Sequence, residues 1–301
     1  MNTTVQLIAE PTRLPTPHER ERSRTRRTQH VMLSILMPAY NEQNTIAQAI
    51  ASVLSTHYPC DTELIVVDDG SSDATAEILT ALSHPNCVVV SHPRNLGKGA
   101  ALQTGAAIAN GTHLVPFDAD LEYDPTDLAA MVTPVIQGRS EVVYGTRLFG
   151  ANTRYQSYRH AVGNRALTFA ANVLFDAYLS DLHTCLKLVP VDLFRELALS
   201  EDGFGLDTEI TAKLLRRGLR PFEVPVSYHS RSFERGKKIT WRDGVECLRV
   251  LAQVRLGAHP QHVRKVAIED PIGAPAAAVN VLADLSPSDR DGSTRENAEA
   301  G

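Results

Sequence analysis

The chain has 301 residues, of which 43% are hydrophobic and 22% are charged, a composition typical of a globular protein that can bury a substantial core. Its formal net charge of −5 argues against nucleic acid as the main partner, because a phosphate backbone binds to a basic surface. The four cysteines are widely spaced, so we expect no structural zinc site and a reducing, cytoplasmic location. No apolar stretch reaches the roughly 18 residues of a transmembrane helix.

Both ends of the chain are predicted to lie outside the folded domain. Residues 1–30 are rich in arginine and proline and predict a disordered basic tail, with weak electrostatic attraction to anionic lipid as the alternative. Residues 256–301 predict a second tail that is largely disordered. The folded domain is therefore expected to span residues 31–255.

The first half of this domain alternates apolar strands with helices. The predicted strands are 31–38, 63–69, 87–92, 112–120 and 140–147. The predicted helices are 44–54, 97–109 and 124–136. A further helix is predicted after the second strand, and Ser72 or Asp73 can N-cap it. Continuous apolar strands joined by helices predict an α/β fold, a doubly wound and mainly parallel sheet with helices on both faces.

The second half is less regular. It predicts a long helix at 161–179, a strand at 183–190, a helix at 206–218 closed by Gly218, an extended stretch at 219–229 and a last helix at 241–255. The helix at 161–179 is amphipathic, with the apolar residues Leu167, Phe169, Val173, Leu174 and Phe175. Core packing explains them, and the alternative is contact with a membrane interface.

Four clusters of polar residues follow the first four strands. They are PAYNE (38–42), VVDDGSSD (66–73), RNLGKG (94–99) and FDADLE (117–122). Because ligands bind at the carboxyl ends of the strands in doubly wound sheets, we expect all four clusters to meet at one edge.

The cluster FDADLE has an acid at every second position, Asp118, Asp120 and Glu122. On a strand this spacing directs all three carboxylates to one face, where they repel one another unless a cation joins them. Few carboxylates completed by substrate phosphates are typical of Mg²⁺ or Mn²⁺. The sequence has no GxxxxGK[ST] loop, no GxGxxG after the first strand and no GxSxG, which excludes P-loop, dinucleotide-binding and serine-hydrolase sites of those types.

PAYNE, VVDDGSSDAT, RNLGKGAALQTG, FDADLEYDP and YGTR, in this order, resemble the inverting nucleotide-sugar glycosyltransferases of family 2, which have the GT-A fold. Within that family, the chain is similar to the polyprenyl- or dolichyl-phosphate mannosyl- and glucosyltransferases. The resemblance implies a nucleotide-binding half over residues 31–122 and an acceptor half over 123–255.

The resemblance also implies a role for each matching residue on the donor side. Pro38, Tyr40 and Glu42 would hold the nucleobase and ribose, and Asp69 would accept a hydrogen bond from the base. Lys98, with Arg94 beside it, would contact the nucleotide or the sugar.

The acids match the DxD motif of the family, so Asp118, Asp120 and Glu122 would hold Mg²⁺ or Mn²⁺ against the diphosphate. Arg147 matches an arginine that faces phosphate, with a surface ion pair as the alternative interpretation. Both assignments suit the chemistry, because negative charge grows on the nucleoside diphosphate as it leaves.

The acceptor side leaves two possibilities open. The basic stretch YHSRSFERGKKITWRDG (228–244) resembles a mobile loop that closes over donor and acceptor phosphates, with Arg231 and Lys237 as contacts, and a solvated face is the alternative. A lipid phosphate arrives ionised, whereas a hydroxyl needs a general base. Asp207 and Glu209 lie where hydroxyl-using relatives keep such a base, and an N-cap is the alternative for Asp207.

We therefore expect an enzyme with a nucleotide-sugar donor, a lipid-phosphate or soluble hydroxyl acceptor, no nucleic acid, and peripheral contact with the inner face of the membrane. A catalytically silent nucleotide-sugar binder is disfavoured because the acids, Lys98 and Arg147 are all present. A nucleotidyltransferase would carry a Gly-rich loop after the first strand, where this chain has PAYNEQNT. The nucleobase, the sugar and the oligomeric state are left open.

Overall fold

The computed structural model describes residues 30–82, 84–148, 153–154, 158–230 and 241–257. The strands in these ranges are β1 (Met32–Ala39), β2 (Asp61–Asp68), β3 (Cys87–Ser91), β4 (His113–Pro116), β5 (Val143–Thr146), β6 (Thr153–Arg154), β7 (Lys187–Pro190), β8 (Phe222–Pro225) and β9 (Tyr228–His229). The helices are α1 (Ile46–Ser55), α2 (Thr75–Thr80), α3 (Lys98–Ile108), α4 (Asp127–Ile136), α5 (Tyr158–Phe175), α6 (Val191–Glu196), α7 (Leu206–Arg216) and α8 (Trp241–Leu256).

Seven of the strands form one sheet, in the order β3-β2-β1-β4-β7-β5-β8. All neighbours are parallel except β7, which runs antiparallel to both β4 and β5. The predicted doubly wound, mainly parallel fold is therefore confirmed, with one reversed strand near the middle. A separate parallel pair, β6 and β9, lies beside the turn after β4 through a bridge between Tyr123 and Tyr228.

Helices cover both faces of the sheet because successive strand residues point to opposite sides. Ile35 and Met37 of β1 pack with α1, α2 and α4, whereas Leu36 between them packs with α3, α6 and α7. A third apolar cluster joins α5, α7 and α8 away from the sheet. This third cluster builds the predicted acceptor half outward from the sheet.

The fourth strand is shorter than predicted, and the acids do not lie on it. It ends at Pro116, where its pairing with Leu36 of β1 ends, and the chain then turns, with Leu121 in the left-handed region at φ 62°. On its other side β4 pairs with β7 only at its first two residues, so no further ladder extends the strand. The expectation of three carboxylates alternating on one strand face is wrong, because the acids lie in a turn.

Two predicted helix caps also differ. The residue before α2 is Ala74, although the carboxylate of Asp73 accepts the backbone N–H of Thr75 at 2.9 Å. The residue before α7 is Gly205, so Asp207 lies inside the first turn and is not its N-cap. Gly218 follows α7 at φ 79°, as expected for a glycine that closes a helix.

Within the described ranges, no helix combines the length and the apolar character needed to cross a bilayer. The predicted tails, apart from His30 and the pair 256–257, lie outside the described residues.

Buried Glu63 joins three parts of the first half of the domain. Its carboxylate accepts hydrogen bonds from the Ser34 hydroxyl at 2.6 Å, from the Asn110 backbone N–H at 2.6 Å and from that of Gly111 at 3.2 Å. We expect Glu63→Ala to lower the free energy of unfolding by about 2–4 kcal/mol, because it leaves buried donors without an acceptor. Urea unfolding measures this, with Glu77→Ala on the exposed side of α2 as the control; equal losses in both variants would contradict the assignment.

Candidate active site

The first two polar clusters are bound to each other at the carboxyl ends of β1 and β2. The Asn41 backbone N–H donates to the Ser71 hydroxyl at 3.0 Å, and the Asn41 side chain accepts from the Ser72 N–H at 2.8 Å. The Glu42 N–H donates to the Thr75 hydroxyl at 2.9 Å. Asn41 adopts φ 56°, a left-handed conformation that asparagine tolerates, which turns the chain between the two clusters.

The residues expected at the nucleobase and ribose lie at this junction. Pro38 is half-buried near the end of β1, and the Tyr40 ring is exposed and accessible for stacking. The Glu42 carboxylate accepts from the Thr45 hydroxyl at 2.7 Å, so it is engaged within its own turn. Their roles in nucleotide binding stay predictions.

Asp69 is buried and holds the third cluster in place. Its carboxylate accepts the backbone N–H groups of Leu96 at 2.9 Å and of Gly97 at 2.8 Å. Nδ1 of buried His92 lies 2.7 Å from the same carboxylate, and the other ring nitrogen of His92 lies 3.0 Å from the Thr104 hydroxyl. The predicted contact of Asp69 with a base would have to use a remaining lone pair of this carboxylate.

The positive partner of Asp118 in the structure is Lys98, the first residue of α3. The Lys98 ammonium lies 2.7 Å from Oδ1 and 2.9 Å from Oδ2 of Asp118, and 3.5 Å from the Cys185 thiol. Burial acts to lower the pKa of Lys98, but the acidic groups around it, Asp118 first and then Cys185 and Asp207, together outweigh burial and hold the pKa well above its usual range. Lys98 is therefore a permanent cation at the first acid of the motif.

Asp120 and Glu122 take different partners. The Asp120 carboxylate accepts the Glu122 backbone N–H at 3.1 Å, whereas the Glu122 carboxylate accepts the Tyr228 hydroxyl at 2.6 Å. In the part of the chain that the structure describes, no three His, Cys, Asp or Glu side chains are gathered closely enough to hold a metal ion. The carboxylates from one turn nonetheless match the hard oxygen donors of Mg²⁺ and Mn²⁺, and the metal site stays a prediction.

Arg147 forms a buried, two-pronged ion pair. Its Nε lies 2.6 Å from one oxygen of Asp181 and its Nη2 lies 2.8 Å from the other, while the guanidinium stacks 5.0 Å above the Tyr228 ring. Asn164 also donates to Asp181 at 2.8 Å. The alternative of a surface ion pair is wrong, because Asp181 is fully buried and Arg147 nearly so. Whether Arg147 also faces phosphate stays a prediction.

Asp207 points from the first turn of α7 to Lys187, whose ammonium lies 2.6 Å away and is fully buried. Burial acts to raise the pKa of Asp207, but Lys187, with a smaller contribution from Lys98, lowers it below its usual range. Glu209 is fully buried, pairs with Lys213 at 2.7 Å and accepts the Ser200 N–H. Of the two acids, only Asp207 is partly exposed.

Sequence reasoning missed Tyr228, Asp181 and Lys187. Lys187 carried a usable signal, since a lysine inside the apolar strand LKLVP predicts a buried counter-charge. Tyr228 and Asp181 carried none, because their partners are 106 and 34 residues away along the chain. Arg231 and Lys237 lie outside the described residues, as does most of the basic stretch that contains them.

Comparisons with known proteins identify the family and the fold. The family model described as Glycosyl transferase family 2 matches residues 34–198. Glycosyltransferase AglJ of Haloferax volcanii is 29% identical over 199 residues, which cover 65% of this chain and 63% of AglJ, so the chain spans less than two thirds of that relative. Dodecaprenyl-phosphate galacturonate synthase of Rhizobium johnstonii is 26% identical over 242 residues, covering 78% of this chain and 70% of the relative.

The fold is shared with a solved glucosyl-3-phosphoglycerate synthase from Mycobacterium tuberculosis in complex with Mn²⁺, uridine diphosphate and glucosyl-3-phosphoglycerate. The TM-score is 0.54 at 20% sequence identity, and the match covers 85% of this chain and 89% of that one. Identity at this level shows the common architecture.

The Arg147–Asp181 pair predicts how the free energy of unfolding depends on pH. Burial acts to raise the pKa of Asp181, but Arg147 brings it down to about 2. Because this lies below the unfolded value of about 3.9, the pair stabilises the fold above that pH, and the contribution of about 2 kcal/mol is lost as pH falls toward the folded pKa. We expect Asp181→Asn to lower the unfolding free energy at neutral pH by at least about 2 kcal/mol and to flatten its decline in acid.

Chemical denaturation between neutral and acid pH measures both effects. The control is Glu196→Gln, which breaks the exposed pair with Arg217 at 3.2 Å and should change stability little. If the unfolding free energy of Asp181→Asn fell in acid as steeply as that of the unchanged protein, the buried pair would not be the source of the pH dependence.

Proposed function

The chain belongs to glycosyl transferase family 2, whose members use nucleotide-sugar donors, and from that premise we propose that it is an inverting hexosyltransferase that glycosylates a polyprenyl or dolichyl phosphate. The donor is a UDP- or GDP-sugar and the metal is Mg²⁺ or Mn²⁺. Residues 31–122 bind the nucleotide and residues 123–255 bind the acceptor, at the inner face of a membrane.

The observation that carries the phosphate acceptor is the pairing of Asp207 with Lys187. A hydroxyl acceptor needs a general base whose pKa lies near the working pH. With the Lys187 ammonium at 2.6 Å, Asp207 has a lowered pKa and a weak affinity for a proton. An ionised phosphate oxygen needs no base, so it suits a site in which the only partly exposed acid of α7 is already paired.

Two relatives support the same acceptor class by their names. Dodecaprenyl-phosphate galacturonate synthase takes a lipid phosphate, as does the UDP-N-acetylglucosamine–dolichyl-phosphate N-acetylglucosaminyltransferase of Methanococcus voltae. We extend that class to this chain. The sugar and the nucleobase have to be identified by assay, since the family resemblance does not separate glucose, mannose and N-acetylglucosamine.

Transfer would proceed by in-line displacement. A phosphate oxygen of the acceptor forms a bond to the anomeric carbon, the bond from that carbon to the diphosphate breaks, and its electron pair leaves with the nucleoside diphosphate. Asp118, Asp120 and Glu122 would hold the metal ion, which supplies positive charge to the leaving diphosphate. Lys98 and Arg147 are fixed cations in the same region and supply charge without reorganisation.

The donor would be oriented at the junction of the first two clusters. The Tyr40 ring is exposed there for stacking on the base, and the hydrogen-bonded loops behind it make the surface rigid. Asp69 contributes mainly by holding Leu96 and Gly97, and so the start of α3, at the donor side.

One observation favours the alternative acceptor, a hydroxyl of a soluble metabolite or glycan. The Asp207 side chain remains 24% exposed at the first turn of α7, where a base would stand. In that case Asp207 would have to take the proton of the acceptor despite Lys187.

The first test is transfer of radiolabelled sugar from UDP-glucose, UDP-N-acetylglucosamine or GDP-mannose to a short polyprenyl phosphate, with the label partitioned between solvent and water. We expect metal-dependent label in the organic phase with one donor. Asp120→Ala should lower this transfer by more than about 100-fold with unchanged thermal stability, because the leaving diphosphate loses its metal.

The matched control is Asp124→Asn, in the same turn. Asp124 accepts the Thr126 N–H at 2.9 Å, an arrangement that asparagine can keep. Full activity in Asp120→Ala would contradict the assignment of Asp120 as a metal ligand. If no donor gave label in the organic phase but one nucleotide stabilised the protein against heat, the result would favour a soluble hydroxyl as the acceptor.

Asp207→Asn separates the two acceptors. If the acceptor is an ionised phosphate, we expect the rate of transfer to fall by no more than about tenfold, whereas loss of a general base costs about 10²–10⁴-fold. The control is Asp192→Asn in the first turn of α6, which is exposed and distant from the site. A loss of the larger size, with the fold intact by thermal unfolding, would contradict the phosphate acceptor.

A further inference from the structure

The exposed apolar side chains of the described residues are concentrated on two helices. Nine of the twelve large ones lie on α5 and α8, and they are Tyr158, Val162, Phe169, Val173, Leu174, Trp241, Val245, Leu248 and Leu256. A protein surface carries scattered apolar residues, but such a concentration on two neighbouring helices marks a contact with something else.

The two helices lie side by side, and each carries its exposed residues on the side that faces away from their shared buried cluster. Their inner sides pack in one buried cluster with α7, and near their carboxyl ends the Arg255 side chain donates to the Leu174 carbonyl at 2.9 Å. On α5 the exposed residues Tyr158, Val162, Phe169 and Val173 follow helical spacing, so they form one stripe opposite the buried stripe.

The stripe on α8 follows the same rule. Trp241, Val245 and Leu248 are exposed at helical spacing, while Cys247, Val250 and Leu251 face the cluster. Each helix therefore has two apolar stripes, and only one of them is needed for the core. We call the outer pair of stripes the α5/α8 face.

We propose that the α5/α8 face docks on the surface of an anionic lipid bilayer. Aromatic residues with a polar edge prefer the headgroup level, and Trp241 and Tyr158 are both highly exposed on this face. Basic residues beside an apolar stripe attract anionic lipid. Helix α5 carries exposed Arg159 and Arg165 and no acid, although the whole chain has a net charge of −5.

The α8 side of the face also carries arginine beside its aromatic residue, although this helix contains the acids Asp243 and Glu246 as well. The Arg242 guanidinium lies 5.8 Å from the centre of the Trp241 ring, which keeps a positive charge at the aromatic residue. A lipid surface therefore explains both the apolar stripes and the excess of arginine, whereas a purely apolar partner explains only the first.

The position of the α5/α8 face fits the proposed lipid-phosphate acceptor, and this part of the inference rests on that proposed function. The inner side of α5 contacts the site, since Asn164 donates to Asp181 behind Arg147. The inner side of α8 also reaches it, because the Cys247 thiol lies 3.4 Å from the His183 ring. A bilayer on the outer side of the two helices would therefore lie within about one helix diameter, roughly 10 Å, of these charges.

Trp241 reports on this contact without any labelling, since it is the single tryptophan of the chain. Its fluorescence is followed as phosphatidylcholine vesicles, or equimolar phosphatidylcholine and phosphatidylglycerol vesicles, are added without donor or acceptor. We expect a blue shift with the anionic vesicles, a weaker one with phosphatidylcholine alone, and quenching by lipids brominated near the headgroup.

Two variants locate the contact. Phe169→Ala with Val173→Ala should lower the vesicle partition coefficient by about tenfold, because two exposed side chains no longer enter the interface. Arg159→Gln with Arg165→Gln should reduce the preference for anionic vesicles. Phe222→Ala, which removes an exposed phenylalanine from β8, is the control and should bind as the unchanged protein does.

Three outcomes would overturn the proposal. Trp241 emission that no vesicle changes excludes the contact, and unchanged binding of the Phe169→Ala and Val173→Ala variant assigns attachment to another part of the chain. Blue-shifted emission without lipid, in a protein that sediments as a dimer, assigns the face to a second copy. Transfer to polyprenyl phosphate in detergent tests the proposed acceptor separately, so either idea can fail alone.

Discussion

The proposed donor side of the site depends on one buried anion, the carboxylate of Asp69 at the end of β2. A charge taken out of water must be paired, and here two backbone N–H groups and His92 surround it. These contacts fix Gly97, whose φ of 95° and close approach to Asp202 only glycine tolerates. Helix α3 therefore begins at a defined place, and Lys98 at its start reaches Asp118. Asp69, Lys98 and Asp118 belong to the second, third and fourth polar clusters, so these three clusters are held in fixed positions relative to one another.

The acceptor side is organised differently, by ion pairs between side chains. Asp181 and Lys187 are fully buried, Arg147 is nearly so and Asp207 is 24% exposed, so removing one partner would leave a buried charge unpaired. The pairs therefore stabilise the fold and also fix the orientation of their charges. Charges that are already fixed need no rearrangement as the leaving group becomes negative, which is the arrangement that phosphate chemistry requires. The inner sides of α5 and α8 complete this region, so the outer α5/α8 face and the charged site share the same two helices.

The turn after β4 connects the two sides. It carries Asp118, which pairs with Lys98 of the donor side, and Glu122, which accepts the hydroxyl of Tyr228. Tyr228 also lies under Arg147 and against Tyr123, at a ring distance of 5.2 Å. The segment expected to bind metal is thus held between Lys98 on one side and the Arg147–Asp181 pair on the other, and a movement on either side would shift these acids.

Local pattern determined most of the fold and the position of the site. The apolar strands, the helices between them and the polar clusters after β1 to β4 are visible in the sequence, because periodicity and the order of parallel strands bring the carboxyl ends together. The tertiary structure alone decided that β7 runs reversed between β4 and β5, that β4 ends at Pro116, and that the carboxylates of Asp118 and Asp181 pair with Lys98 and Arg147. These depend on pairings between distant segments, and no local pattern of residues encodes which distant charge a buried carboxylate will meet.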